Sequence, residues 1–540
     1  GRGLCSAPAC PATFSRFASP STMLPPLSLS CFLLGLWVFA PTAYSSRILA
    51  VFPTVSKSHF DFFQPLLLAL ASRGHEVTVV NSYPQPHPVR NYTDINLQDF
   101  KKVFFNSIPF ELLPRVPTSF LENHLFLWSQ IEDNEPTFSH PDVRRLLDSE
   151  EKFDLVITEL WNSDIFLGFG HRFDAPVVAM SSCSILPWGN ARFGNPDNPS
   201  YIPQIFFRKF GKLDFLQRLV NTYQLVTSKL LYKFVYDPSS ERIARRVFGD
   251  SLPPLEALAM NTSLVFVNTH HTLHGSRPST PQFVEVGGIH VRDPKPLEKD
   301  LDRWLNASTD GVVYFSFGSM LRGATLPEDK VRAFVEVFRT LPQRVLWKWE
   351  DDSVSGLPDN VRLMKWLPQR DVLAHPKVKV FISHGGLLGT TEAVVSGVPI
   401  LGIPMYGDQP NNVAALVEKG VAIHVDYNNI SVASLSYALN TLINDASYAA
   451  NAKELSRRFL DRPMSPLDTA VYWTEYVIRH RGAPHLQSAA VHLTWYQYYL
   501  LDVAAVCLAA LAAILATAFY IVRTSLRLLW AVKPAKLKSS

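Results

Sequence analysis

Near-continuous apolar runs, each the length of a single strand, recur along most of the chain and are followed by stretches of helical periodicity. In the first half they are RILAVF (47–52), VTVV (77–80), FDLVITE (153–159), PVVAMSS (176–182) and SLVFVNT (263–269). In the second they are GVVYFSFGS (311–319), RVLWKWE (344–350), VKVFISHGG (378–386) and VPILGIP (398–404). Strands without polar alternation are buried on both faces, and their alternation with helices marks a parallel sheet covered by helical layers. The first helix is expected from His59 to Ser72, closed by Gly74. His270–Pro294, rich in Pro, Gly, Ser and His, reads as an inter-domain linker. The expectation is an α/β protein of two domains, 46–269 and 295–482, facing each other across a cleft. Ligands of such sheets bind beyond the carboxyl ends of the strands. Between 90 and 150 the chain is irregular, and Phe104, Phe110, Phe120, Phe126 and Trp128 are candidates for an apolar pocket lining or for ordinary core.

Bulk properties agree. At 540 residues, 47% hydrophobic and 18% charged, the chain exceeds one core and is globular. A net charge of +4 with no concentrated basic face argues against nucleic-acid binding. Two apolar segments lie near the ends. Leu29–Ala40, followed by small residues, reads as the core of a signal peptide over 23–45, although its basic n-region is missing. Met23 reads as the start, which makes 1–22 a non-native upstream segment. Val503–Val522 is uncharged and long enough to cross a bilayer. Trp495, Tyr496, Tyr498 and Tyr499 precede it in a juxtamembrane segment (483–502), and Arg523, Arg527, Lys533, Lys536 and Lys538 follow in a tail (523–540) without acids. The positive-inside rule then makes the tail cytoplasmic and the body luminal, a single-pass type I protein in contact with membrane lipid. Asn91, Asn261, Asn306 and Asn429 each begin a glycosylation sequon. Of five cysteines only Cys183 falls in the luminal body, so no disulfide is expected within it.

The stretch from Trp366 to Gln409 is the most specific. A strand runs into His384-Gly385-Gly386 and then into a helix carrying Glu392. Small residues at such a turn admit a diphosphate to the backbone, and the helix N-terminus offers free N–H groups and a positive dipole end. The W-x-P-Q of Trp366–Gln369, the H-G-G-x-x-G-x-x-E-A of His384–Ala393 and the Asp408-Gln409 pair together resemble the signature of the UDP-glycosyltransferase family, which has the GT-B fold of two Rossmann-like domains. The resemblance extends from Ser58-His59-Phe60 to the EYVIRHR at 475–481. It implies a UDP-sugar co-substrate and no other cofactor. By position it implies that Trp366 stacks on uracil, that Gln369 bonds near the base or ribose, and that Ser319 and His384 meet the diphosphate. Gly386 and Gly389 allow close backbone approach, Glu392 accepts from the ribose hydroxyls, and Asp408 and Gln409 read the sugar. Leu388 departs from the pattern, since many relatives have Asn there.

Forming a glycoside requires an acceptor oxygen to lose its proton as it attacks. Histidine suits that role because its pKa lies near neutrality. His59 follows the first strand and opens the first helix, and in the family the matching His is the base, oriented by an Asp. Two carboxylates compete for that orienting role here. Glu159 stands where Asp is usual, while Asp164, five residues later, has the usual length and is slightly preferred. Asp300-Leu-Asp302 reads as solvated acids in a first helical turn, and His270, His271 and His274 lack a thiol or carboxylate cluster, so no metal site is expected.

The resulting expectation is inverting, metal-independent transfer of a hexose, glucose foremost, from a UDP-sugar to a hydroxyl of a small lipophilic acceptor. The alternatives are a glucuronosyl or other hexosyl donor, or a membrane-tethered glycoside-binding protein without catalysis. Lys536 and Lys538 resemble the dilysine retrieval signal of endoplasmic-reticulum membrane proteins. Self-association into a homo-oligomer is left open.

Overall fold

Residues 45–100, 103, 105–111 and 119–531 are described by the computed structural model of the chain. The segment 1–22, the signal peptide apart from its last residue, Phe104 and the tail lysines Lys533, Lys536 and Lys538 lie outside the described residues.

The N-terminal sheet comprises β1 (Arg47–Phe52), β2 (Glu76–Asn81), β3 (Tyr92–Asn96), β4 (Leu155–Glu159), β5 (Val177–Ser181), β6 (Leu264–Val267) and β7 (Phe283–Glu285). Its strands are all parallel, in the order β3-β2-β1-β4-β5-β6-β7. The C-terminal sheet comprises β8 (Val312–Ser316), β9 (Arg344–Lys348), β10 (Val361–Met364), β11 (Val378–Ser383), β12 (Ile400–Gly402) and β13 (Ala422–His424), parallel in the order β10-β9-β8-β11-β12-β13. Both orders reverse once, between β1 and β4 and between β8 and β11. At such a switch point the crossover helices leave to opposite faces, which opens a crevice at the strand ends. Val51 lies opposite Thr158 in one sheet and Ser316 opposite Ser383 in the other, so the four chains leave their sheets at matching levels.

Helix α1 (Lys57–Ser72) follows β1 and buries Phe60, Phe62, Phe63, Leu66, Leu67, Leu70 and Ala71. Full burial of one such large side chain contributes about 1.5–3 kcal/mol, which locks the helix start in place. The elements that matter for function are completed by α2 (Phe120–Ser129), α3 (Phe215–Leu231), α4 (Leu387–Ser396), α5 (Gln409–Glu418), α6 (Pro466–Arg479) and α7 (Leu501–Ala531). The two halves are joined directly. Ile108–Pro109 pairs in parallel with Leu321–Arg322, and the Asn106 N–H donates to the Ser319 carbonyl at 2.8 Å.

Two stretches sit elsewhere than the sequence suggests. Part of the expected linker is β7, whose Phe283 and Val284 are buried at the sheet edge. The expected C-terminal domain ran to residue 482, yet α6 buries Ala470, Val471 and Val477 in the core cluster of β1 and α1. Apolar residues on one stripe of α6 decide its docking, and the sequence carries no mark of which half receives them. Helix α7 is long and apolar enough to cross a membrane and is wholly exposed. Its 31 residues span about 46 Å, more than the hydrocarbon core of about 30 Å.

Candidate active site

A cleft of about 1260 Å³ lies between the two switch points. On its N-terminal wall, β1 ends at Phe52, the chain turns, and His59 emerges as the third residue of α1. Its Nδ1 is 2.7 Å from Oε1 of Glu159, the last residue of β4. The Ser182 hydroxyl donates to the same carboxylate oxygen at 2.9 Å. A carboxylate only accepts, so Nδ1 carries the proton and Nε2 keeps its lone pair. Burial lowers the His59 pKa, but the charge and hydrogen bond of Glu159, with the charge of Asp408, outweigh it and hold it above the ordinary 6.5. The edge of Trp161 packs on the ring at 4.8 Å.

Asp164, the preferred partner at the sequence level, is not beside His59. It is buried with Arg192 in a bidentate pair, both distances 2.6 Å, and also accepts from the Tyr232 hydroxyl. The turn after β4 carries Asp164 into the interior of the domain, and Glu159 has the reach to meet His59 from the strand end.

The opposite wall is made by the turns after β8 and β11. His384 lies between two glycines: a Cβ at Gly318 would come within 2.5 Å of its Cε1, and one at Gly386 within 2.6 Å of its Nε2. Gly318 also has φ +82°, a conformation that other residues rarely adopt. Burial, then the charge of Lys348, push the His384 pKa down to about 4, so the ring is neutral. Its Nδ1 is buried with no protein partner. Gly386 caps α4 without a side-chain bond, which leaves first-turn N–H groups open to an anion.

Gln369 is fixed from both ends. The Tyr314 hydroxyl donates to its Oε1 at 3.1 Å, and its Nε2 donates to Oε2 of Glu392 at 2.7 Å. Burial raises the Glu392 pKa to about 7. A Cβ at Gly389 would meet the Gln369 amide at 3.0 Å. Trp366 is 50% exposed, with the Phe105 ring tilted against it at 5.1 Å. Asp408 caps α5 and accepts from Asn412 at 2.8 Å. Gln409 is buried, its Oε1 accepting from the N–H groups of Met405 (2.9 Å) and Tyr406 (3.2 Å), so that it braces the Asp408 loop. Ser319 and Leu388 also line the cleft.

One cleft residue escaped the sequence reading. Lys348, the last residue of β9, is buried, donates to Asn106 Oδ1 and Glu350 Oε1 at 2.7 Å each, and lies 5.6 Å from the Trp366 ring centroid. A lysine within the apolar run RVLWKW was the available signal, because a buried ammonium needs anionic or polar partners. Of the aromatic residues proposed for a pocket, Phe126 lines the cleft, Phe110 is core, and Trp128 is partly exposed and donates to Ser239. Asp300 is ion-paired with Arg362, and Asp302 accepts from Asn306. Of the sequon residues, Asn261, Asn306 and Asn429 are exposed, and the Asn91 amide donates to the Ala71 carbonyl.

Two Rossmann-type sheets with facing switch points make up the GT-B fold. Solved structures agree: the calicheamicin glycosyltransferase CalG4 aligns with 81% of this chain and 99% of its own at a TM-score of 0.52 and 17% identity. A glycotransferase of kitacinnamycin gives 0.51 and 19%, covering 81% of this chain and 98% of its own. The family model described as UDP-glucoronosyl and UDP-glucosyl transferase matches residues 173–535. UDP-glycosyltransferase UGT5 of Dactylopius coccus is 44% identical over 508 residues, 93% of this chain and 96% of that one. Human UDP-glucuronosyltransferase 2B10 is 33% identical over 494 residues, 86% and 90% of the two chains. This chain belongs to the UDP-glycosyltransferase family and is an enzyme that transfers a sugar from a UDP-sugar to an acceptor.

Proposed function

We propose that the enzyme moves glucose from UDP-glucose to a hydroxyl of a small apolar acceptor, with inversion at the anomeric carbon and without a metal ion. The observation that carries this reading is the His59–Glu159 pair, set at one switch point and facing the His384–Gly386 turn at the other. The acceptor hydroxyl gives its proton to Nε2 of His59 as its oxygen bonds to the anomeric carbon. The bond from that carbon to the phosphate oxygen breaks on the opposite face, and its electron pair leaves with UDP. Glu159 stabilises the imidazolium that forms, and a base of this kind is worth about 10²–10⁴ in rate.

The departing UDP meets positive potential from Lys348 and the α4 N-terminus and a hydrogen bond from neutral His384, which together supply what a cation would. Ser319, Gly386 and Gly389 admit the diphosphate, Trp366 stacks on uracil, and Gln369 and Glu392 hold the ribose. Asp408 and Gln409 face the sugar. UDP-glucosyltransferase 2 of Dactylopius coccus, 41% identical over 506 residues, supports the same donor. Phe126, Leu127 and Trp161 offer an apolar acceptor end. Turnover of the full-length enzyme with a phenolic acceptor should be at least about tenfold more efficient with UDP-glucose than with UDP-glucuronate, a difference of about 1.4 kcal/mol. A preference for UDP-glucuronate overturns the donor assignment.

The same reading makes the protein a single-pass type I glycoprotein of the endoplasmic reticulum membrane, delivered by the 23–45 signal peptide. Support comes from α7, from Arg523 and Arg527 at its far end, and from the exposed sequon asparagines.

A further inference from the structure

The first turn of α5 serves both halves of the cleft. Its N-cap is Asp408, and the Asn412 amide donates to the Gly385 carbonyl of the diphosphate turn at 3.1 Å. Asn411, between them, reaches into the other half of the molecule. Its amide donates at 2.7 Å to the carbonyl of Phe207, 204 residues earlier, and both residues are buried. The chain beyond Phe207 stays on the same helix. The Lys419 ammonium lies 5.0 Å from the Phe210 ring centroid, and a Cβ at Gly211 would come within 2.5 Å of Oε1 of Glu418. A buried carbonyl that loses its donor bears the full cost of its desolvation, so the Asn411 bond pins this segment to the donor half.

Just before it reaches α5, the same segment is a wall of the acceptor end. Ile205 and Phe206 line the cleft together with Phe126 and Leu127. Polar side chains of the N-terminal half fix their backbone. The Asn221 amide of α3 donates to the Ile202 carbonyl at 2.8 Å, and its oxygen accepts from the Gln204 N–H at 3.1 Å. Oε1 of Gln204 in turn accepts from the Phe206 N–H at 3.0 Å. The Phe206 ring is partly exposed and stands T-shaped against His124 at 5.5 Å. It also borders a second cleft of about 400 Å³, which shares Asn123 and Tyr406 with the first and is lined further by Phe120 and Gln224.

We propose that Phe206 contacts the far ring of elongated phenolic acceptors, which extends into the second cleft, and that Asn411 is a positioning residue that sets Phe206 from the donor half. This rests on the reading of the region beside Phe126, Leu127 and Trp161 as the acceptor end. Trp161 packs on His59 itself, so a single-ring phenol at the base has Trp161 for its neighbour. A second ring beyond it meets Phe206 at the border of the two clefts. The rings of Phe120 and Phe206 and the amides of Asn123 and Gln224 together suit an aromatic ring that carries hydroxyls. Sugar placement and acceptor choice are thereby joined through one helix.

The test is steady-state kinetics of the full-length enzyme, saturated with whichever of UDP-glucose and UDP-glucuronate it uses better, on phenol and on para-phenylphenol. In Phe206→Ala the ratio of kcat/KM for para-phenylphenol to that for phenol should fall at least about tenfold, as for a lost apolar contact in a pocket. Asn411→Ala should lower the same ratio about fivefold or more, and the double variant no further than the lower single one, because both act through one loop. The Kd for UDP should stay within about twofold throughout. Asn411→Ser, too short to reach the Phe207 carbonyl, replaces Asn411→Ala if that variant does not fold. An unchanged ratio in Phe206→Ala overturns the contact. Weakened UDP binding with an unchanged ratio in the Asn411 variant, or additive losses in the double variant, overturns the positioning role. Failure of the unmodified enzyme to glycosylate either phenol overturns the apolar-acceptor reading and the inference with it.

Discussion

Nδ1 of His59 and Oε1 of Glu159 meet at 2.7 Å across the β1–β4 switch point, joining a helix start to a strand end 100 residues away. That single contact sets the tautomer of the ring, its charge preference and its orientation toward the cleft. Proton transfer needs the neutral ring, so kcat/KM rises with pH through the His59 pKa and is level above it. Glu159 raises that pKa while burial lowers it. In Glu159→Gln the acid limb therefore moves to lower pH, by about one unit or more, and turnover falls about 10- to 100-fold. A pH–rate profile checks both, and an unmoved limb contradicts the pairing.

Asp164 belongs to the architecture. In Asp164→Asn the Arg192 guanidinium stays buried without its countercharge, at a cost of about 3–5 kcal/mol. Thermal unfolding should show a clear drop in Tm, while the folded fraction keeps its KM for the donor. Lost turnover with an unchanged Tm would return the orienting role to Asp164.

Lys348→Gln removes the charge at nearly constant volume. Affinity for UDP should fall about tenfold or more, the worth of a charge-assisted bond, while affinity for uridine is unchanged. Competition of UDP and of uridine against the donor measures the difference. Equal loss for both ligands would show that Lys348 only supports Trp366 and the β9 end.

The sheets were legible because buried parallel strands such as VVYFS and VKVFIS are mostly apolar, and the His384–Gly386 turn because few residues tolerate its crowding. The carboxylate partner was not. Whether Glu159 or Asp164 meets His59 depends on the turn after β4 and on Arg192, 28 residues beyond Asp164, and neither is written in local spacing. β7 was hidden because three residues among Pro, Gly and Ser carry too short a pattern. α6 was assigned by chain order, and its docking on α1 depends on shape. Phe215 and Leu219 of α3 face outward, and nothing in the sequence marks that side of the helix as exposed.

Retention is predicted to depend on the tail. Changing both Lys536 and Lys538 to Ser should leave luminal glycosylation intact and release the protein to later compartments. Its glycans then become resistant to endoglycosidase H. Fully sensitive glycans with a reticular distribution would show that the tail is not the retention signal.

The central claim is that His59 is the base. In folded, full-length His59→Ala, turnover with UDP-glucose and a phenolic acceptor should fall by about two orders of magnitude or more, while the Kd for UDP stays within about twofold. Near-normal turnover in a variant that folds and binds UDP would contradict it.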